Sequence, residues 1–450
     1  MSPRSSALSA LALLACAHRP TYPTRWHQTL TVDHARGTVA VRACGDTARA
    51  PALSPPAAGV PHLVALTEDD GRPLGLRGGV TEAPTGPCVR WTVRVRERGD
   101  LWVVPASTWL WRPPWLARGA EVTLSVALPA GWALSAPFPE LGGDRWSIPP
   151  SAWAFEGYLG LGRFERAVVT AEGARFDVAC VGPPGCASRL PSEAWLGAAA
   201  RAVSGVLGRF PVSRVQVLAL DGERSEEPVS FGLTSRGGGA SVLFTLDSTR
   251  PGFERDWVAV HEFSHFLHPA TDPGATWLTE GLATYYQEVL RARSGALSEE
   301  ALWAELLEGF ARGREQAGAW GLQAESDAMA RTHRYQRVYW TGAAVCFLAD
   351  VELRRQTRGA LSLDALVRAL HARATDPTRV WPLRDLTGLF DEASEGRWSA
   401  VVGPLVSSPR FPPVDAALAS LGVREEGGAV TLDPAAPEAP LRRALLAAPR

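Results

Sequence analysis

Asp256-Trp257-Val258-Ala259-Val260-His261-Glu262-Phe263-Ser264-His265-Phe266-Leu267-His268 is the stretch on which the reading of the whole chain turns. Trp257, Val260, Phe263 and Leu267 recur at helical spacing, and no Gly or Pro interrupts them. On a helix His261 and His265 lie one turn apart on one face, so their rings converge on a single ion. Glu262 sits about 100° further round the helix. That is too displaced for a third ligand, but it is the right place for a base beside an ion-bound water. The spacing is H-E-x-x-H, which predicts a Zn2+ site with a glutamate general base. His268 precedes Pro269 at the expected helix end. We read it as a carbonyl cap or as a support for a ligand rather than as a ligand itself.

Two imidazoles do not complete a catalytic zinc site, which needs a third protein ligand and an open position. Working outward, Pro269 to Gly274 forms a loop, and Thr276 is placed to cap a second helix. That helix carries Trp277-Leu278-Thr279-Glu280-Gly281-Leu282-Ala283-Thr284-Tyr285-Tyr286. A helix–loop–helix brings Glu280 back over the two histidines. Gly281 has no side chain to obstruct close packing.

Further out the pattern divides. Residues 24–190 alternate apolar and polar in short runs such as Cys88 to Arg96 and Val122 to Leu128, separated by Gly and Pro. This predicts an antiparallel β-sandwich-like domain. Its tryptophans (Trp102, Trp109, Trp111, Trp115, Trp132) read as core rather than as a binding face. Residues 191–422 begin with a helix capped by Ser192. They continue through a strand, Val215 to Leu220, and a Gly-rich loop, Gly232 to Ala240. A second strand, Ser241 to Leu246, is expected to offer an open edge to extended peptide. The remainder is mostly helical. Residues 423–450 read as a tail. The fold class is therefore α+β and multidomain: a β domain followed by a mainly helical catalytic domain.

The 450 residues are 46% hydrophobic and 21% charged, which are globular values. A net charge of −1 and the lack of a long basic run argue against nucleic acid as a partner. Every fixed cation is an arginine, because the chain has no lysine. Residues 1–16 carry Arg4 and an apolar run, Ala7 to Ala15, too short to span a bilayer. The run ends in Leu13-Leu14-Ala15-Cys16, which resembles a bacterial lipoprotein signal and implies a membrane anchor on Cys16. Leu14 departs from the small residue of that motif, which leaves simple secretion as the other reading. No later segment is apolar enough to span a membrane. For an exported chain we expect Cys44–Cys88 and Cys180–Cys186 pairs, with Cys346 buried and free.

His261-Glu262-Phe263-Ser264-His265 followed by Trp277 to Tyr286 resembles the gluzincin peptidases, in particular the glycyl aminopeptidase family. The resemblance covers about residues 200–422. It implies a thermolysin-like catalytic domain acting on peptide or protein substrate, with zinc held by His261, His265 and Glu280. It also implies Glu262 as general base and, in Val338-Tyr339-Trp340-Thr341-Gly342, Tyr339 as the oxyanion donor. Tyr335 and His333 are rival donors nearby. Thr341 stands where the family carries a lysine, and the residues after 422 are too few for that family's PDZ module. The Gly232 to Ala240 loop has no acid to hold a substrate amine, which leaves exo- and endopeptidase both open; Glu226 and Glu227 lie upstream of it. The competing reading is a surface-anchored, metal-containing binding protein without turnover.

Overall fold

The computed structural model describes residues 22–95, 101–222, 224–316 and 318–447. The segment expected to be an export signal, with Cys16, lies outside the described residues.

The first half forms β1 (Arg25–Asp33), β2 (Thr38–Gly45), β3 (Leu63–Glu68), β4 (Cys88–Arg94), β5 (Leu101–Pro105), β6 (Glu121–Ala127), β7 (Ala133–Ser135), β8 (Arg145–Ser147) and β9 (Tyr158–Gly162). A six-stranded sheet runs β8-β6-β1-β2-β4-β3, and a three-stranded sheet runs β5-β9-β7. The alternation in β4 works as a one-sided strand should: Val89, Trp91 and Val93 are buried in the core that both sheets share. Trp91 stacks on Trp111 and donates its indole N–H to the Trp109 carbonyl at 2.9 Å. Trp102, Trp109 and Trp111 are fully buried and Trp132 packs against them, whereas Trp115 is exposed. One expectation is corrected: the large sheet is not wholly antiparallel, because β1 and β6 run parallel.

The second sheet system is β10 (Glu165–Ala171), β11 (Ala174–Val181), β12 (Arg214–Asp221), β13 (Val229–Ser235) and β14 (Ala240–Leu246), in the order β10-β11-β12-β14-β13. β10 and β11 were grouped by their alternation with the first half. They instead pair through the parallel β11–β12 ladder with the second half and share its core. The Gly-rich stretch also differs from expectation. Its first part is strand β13, and β13 rather than β14 is the open edge.

Helices complete this half: α1 (Ser192–Leu207), α2 (Val258–Ser264), α3 (Thr276–Arg293), α4 (Glu299–Glu315), α5 (Leu322–Thr332), α6 (Tyr335–Thr357), α7 (Leu363–Arg373), α8 (Leu383–Ser394), α9 (Arg397–Ser407) and α10 (Val414–Leu421). The stretch read as a tail is also folded. It forms a hairpin, β15 (Val423–Glu426) and β16 (Ala429–Leu432), and helix α11 (Ala439–Leu446). Leu445 is buried, and Arg442 donates to Glu299 at 2.8 Å and to the Leu421 carbonyl at 2.8 Å. Among the described residues no helix is long and apolar enough to cross a membrane. The Cys44–Cys88 and Cys180–Cys186 disulfides form, and Cys346 is free and buried.

The halves meet along β12. Arg214 donates to the Pro137 and Phe138 carbonyls at 3.2 and 3.1 Å, and Gln216 to Ser135 and the Tyr158 carbonyl at 3.0 and 3.2 Å. This seam sets the segment around Glu156 beside the end of β13, where Gly237 donates its N–H to the Glu156 carbonyl at 2.8 Å.

Candidate metal centre

Helix α2 is short and held at both ends. The Asp256 carboxylate accepts the free N–H groups of Val258 and Ala259 at 3.1 and 2.9 Å and the Trp195 indole N–H at 2.8 Å. Val260 and Phe263 anchor it in the core, as does Leu267 in the 3-10 turn His265–Leu267 that follows. Trp257, expected in the same stripe, is 41% exposed and lines the cleft instead. Arg236 caps the other end, donating to the carbonyls of His265 and His268.

The two histidines project from this rigid piece with ring centroids 5.1 Å apart. Each is turned by a hydrogen bond at its outer nitrogen. His261 Nδ1 meets the Gln287 Oε1 at 2.8 Å, and the Gln287 amide is itself fixed by donating to Glu288 Oε1 at 2.7 Å. An acceptor there makes Nδ1 the protonated nitrogen and leaves the Nε2 lone pair free. His265 Nδ1 meets His268 Nε2 at 3.2 Å, and His268 Nδ1 donates to the Pro269 carbonyl at 2.7 Å. His268 therefore supports a ligand, and the capping falls to Arg236. Burial holds both His265 and His268 down to about 3, so they stay neutral.

Helix α3 delivers the third group. Glu280 Oε2 lies 3.3 Å from His261 Nε2 and 3.6 Å from His265 Nε2. The three ligand atoms lie within 4.8 Å of one another. Thr276 is the first residue of α3 and bonds to the Pro273 carbonyl rather than capping the helix. The donor set fits zinc: two neutral imidazole nitrogens and one carboxylate, with Glu280 Oε2 buried and lacking a hydrogen-bond donor. Burial opposes charge on His261, but Glu280 and Glu262 outweigh it and raise its affinity for a proton.

The remaining two groups come from other elements. Glu262 is buried at the foot of the cleft, and the Thr234 hydroxyl of β13 lies 2.8 Å from both its carboxylate and its carbonyl oxygen. Gly232 leaves the space that Glu262 occupies, for a Cβ there would run into the Glu262 side chain. Burial raises the Glu262 carboxyl above the usual range. Tyr339, near the start of α6, lays its ring along His261 at 6.1 Å and lines the same cleft as Glu280. Burial, and then the charges of Glu280 and Glu262, push its phenol far up, so it remains a donor. Tyr335 is more exposed, with its ring 6.4 Å from that of Tyr339, and His333 bonds to Tyr335 rather than reaching the centre.

These groups open into a cleft of about 1020 Å3, lined by β13, α2, α3, α4 and α6 and by Phe155, Glu156 and Tyr158 of the first half. Sequence reasoning missed Gln287, Thr234 and Glu156. Glu226 and Glu227 do not line the cleft.

No family model and no curated protein matches the sequence. Solved structures do share the fold. The chain is similar to an aminopeptidase N family protein from Idiomarina loihiensis, with a TM-score of 0.70 at 14% identity over 88% of this chain and 78% of that one. It is also similar to the M1 zinc metallopeptidase from Deinococcus radiodurans, with a TM-score of 0.54 at 17% identity over 87% of this chain and 94% of that one. A two-domain M1 zinc metallopeptidase variant bound to L-arginine gives a TM-score of 0.55 at 16% identity over 87% and 95% of the two chains. A β domain followed by a helical half is thus an architecture that this chain shares with M1 zinc metallopeptidases.

Proposed function

We propose that the chain is an exported zinc peptidase whose thermolysin-like helical half holds the metal through His261, His265 and Glu280. The observation that carries this is the convergence of both Nε2 atoms on one donorless carboxylate oxygen, with Glu262 and Tyr339 in the same cleft. The fold of the M1 zinc metallopeptidases supports it, and so does the resemblance to gluzincins, of which the glycyl aminopeptidase assignment is the narrower form. A binding protein without turnover has no use for Glu262 or Tyr339.

Zinc, when bound there, acidifies water and polarises a carbonyl. The protein supplies the rest. The open edge of β13 aligns an extended peptide by main-chain hydrogen bonds. Glu262 takes a proton from the attacking water and delivers it to the departing amine. Its raised carboxyl suits both halves of that transfer. Tyr339 donates its phenolic hydrogen to the oxyanion that forms on the scissile carbonyl.

Glu156 narrows the reading toward aminopeptidase action. One of its oxygens accepts the N–H groups of Ser107 and Gly157 at 3.0 and 3.2 Å, which fixes the carboxylate in the wall of the cleft that also holds the metal helices. An α-ammonium group is the natural counter-charge. The zinc-loaded protein should cleave peptides with a free N-terminus, and Nα-acetylation should lower kcat/KM by about 10-fold or more, the value of a charge-assisted hydrogen bond. Equal hydrolysis of free and acetylated peptides contradicts the aminopeptidase reading.

A further inference from the structure

The charges lining the cleft do not balance. Glu262 and Glu280 belong to the centre, and Glu156 is held by backbone N–H groups. Glu288 pairs with Arg291 at 2.8 Å and Glu308 with Arg312 at 2.6 Å. Glu305, on the cleft face of α4, is partly buried and makes no hydrogen bond or ion pair among the described residues. A partly buried carboxylate without a partner is available to a cationic ligand group, and such a pair is a charge-assisted hydrogen bond.

Its surroundings suit a long basic side chain. Glu288 faces Glu305 closely enough to feel its charge: burial pushes the Glu288 carboxyl up to about 6, and Glu305 adds to the push. Arg291 meets Glu288 and also donates to the Arg255 carbonyl at 2.8 Å, just before Trp257. The Trp257 ring stands perpendicular to His261 at 6.1 Å, exposed to the cleft. It offers an apolar wall for an aliphatic stem. Trp340, over which the Arg312 guanidinium lies at 5.0 Å, also lines the cleft. The path from this pocket to the ligand is two hydrogen bonds long, Glu288 to Gln287 to His261. Glu305 and Glu288 line the same cleft as His261, His265 and Glu280.

We infer that Glu305 is the specificity residue of a subsite for lysine or arginine next to the cleaved bond. The inference rests on the peptidase reading above and names its substrate class: short peptides carrying a basic side chain beside the scissile bond.

The test uses the full-length, zinc-loaded protein and peptide pairs that differ only in arginine against citrulline, its neutral isostere. The substitution is placed on either side of the cut bond. Wild type should prefer arginine at one of these positions by about 10-fold or more in kcat/KM, the scale of a charge-assisted hydrogen bond. Glu305→Gln should bring the ratio close to one. Glu305→Arg should reverse the preference toward a glutamate peptide. A wild-type ratio near one at both positions overturns the inference, as does a ratio that survives Glu305→Gln. Hydrolysis of the citrulline peptide reports the peptidase reading separately. If neither peptide is cleaved, that reading fails, and calorimetric binding of the same pair to Glu262→Gln decides the subsite by the same ratio, again with and without Glu305→Gln.

Discussion

At the scale of single residues, the centre assigns different work to groups that touch one another. Glu280 faces both histidines, and the Tyr339 ring lies along that of His261. Substitutions should separate these tasks. Glu280→Gln replaces an anionic ligand by a neutral amide, so zinc affinity and turnover should fall together. Tyr339→Phe keeps the ring against His261 and removes only the donor, so zinc should stay bound while kcat falls by about 10²-fold. Zinc content by elemental analysis, read beside kcat, checks both, and zinc loss in Tyr339→Phe contradicts the role given to the phenol. His261, Glu262 and His265 were legible because helical spacing alone puts them together, and Glu280 because a short loop turns the next helix back over them. Tyr339 was visible only through a family resemblance. Gln287, Thr234 and Glu156 were not visible, because each acts through a contact between elements 26 or more residues apart, as His261–Gln287 and Thr234–Glu262 show.

At the scale of elements, the centre depends on how closely α3 and α6 approach. They cross at Gly281 and Gly342, where a Cβ on Gly281 would lie 2.5 Å from the Gly342 carbonyl carbon. A Cβ on Gly342 would run into the Trp277 carbonyl oxygen, which is backbone and cannot turn aside. Glu280 adjoins one glycine, and Tyr339 lies one turn before the other. Gly342→Ala should therefore cost about 1–3 kcal/mol by overpacking. It should also lower kcat, because Tyr339 moves away from Glu280. Chemical denaturation together with kinetics checks this, and wild-type stability and rate in Gly342→Ala would show that the crossing tolerates a methyl group. Gly281 was readable as a close-packing residue from its place beside Glu280. β13 was misread for the opposite reason. Gly232 and the glycines after it look like a loop, yet Gly232 is a strand residue whose missing side chain leaves space for Glu262.

At the scale of the whole molecule, the cleft belongs to both halves, lined by Glu156 of the first and by the metal helices of the second. Alternation located most strands but could not say which sheet β10 and β11 join, since a parallel partner such as β12 leaves no local mark in sequence. The Ala/Pro-rich composition of the last residues likewise hid α11, whose place is fixed by long-range bonds from Arg293 and Arg442. Export should process the chain near Cys16; mass spectrometry of mature protein should find Met1 absent, and a retained Met1 contradicts export. The claim on which the account rests is that Glu262 serves as base without holding the metal. The most direct measurement is turnover of a free-amino peptide by Glu262→Gln beside its zinc content. The account predicts close to one zinc per chain and a rate reduced by about 10²–10⁴-fold; near-normal turnover in that variant would contradict it.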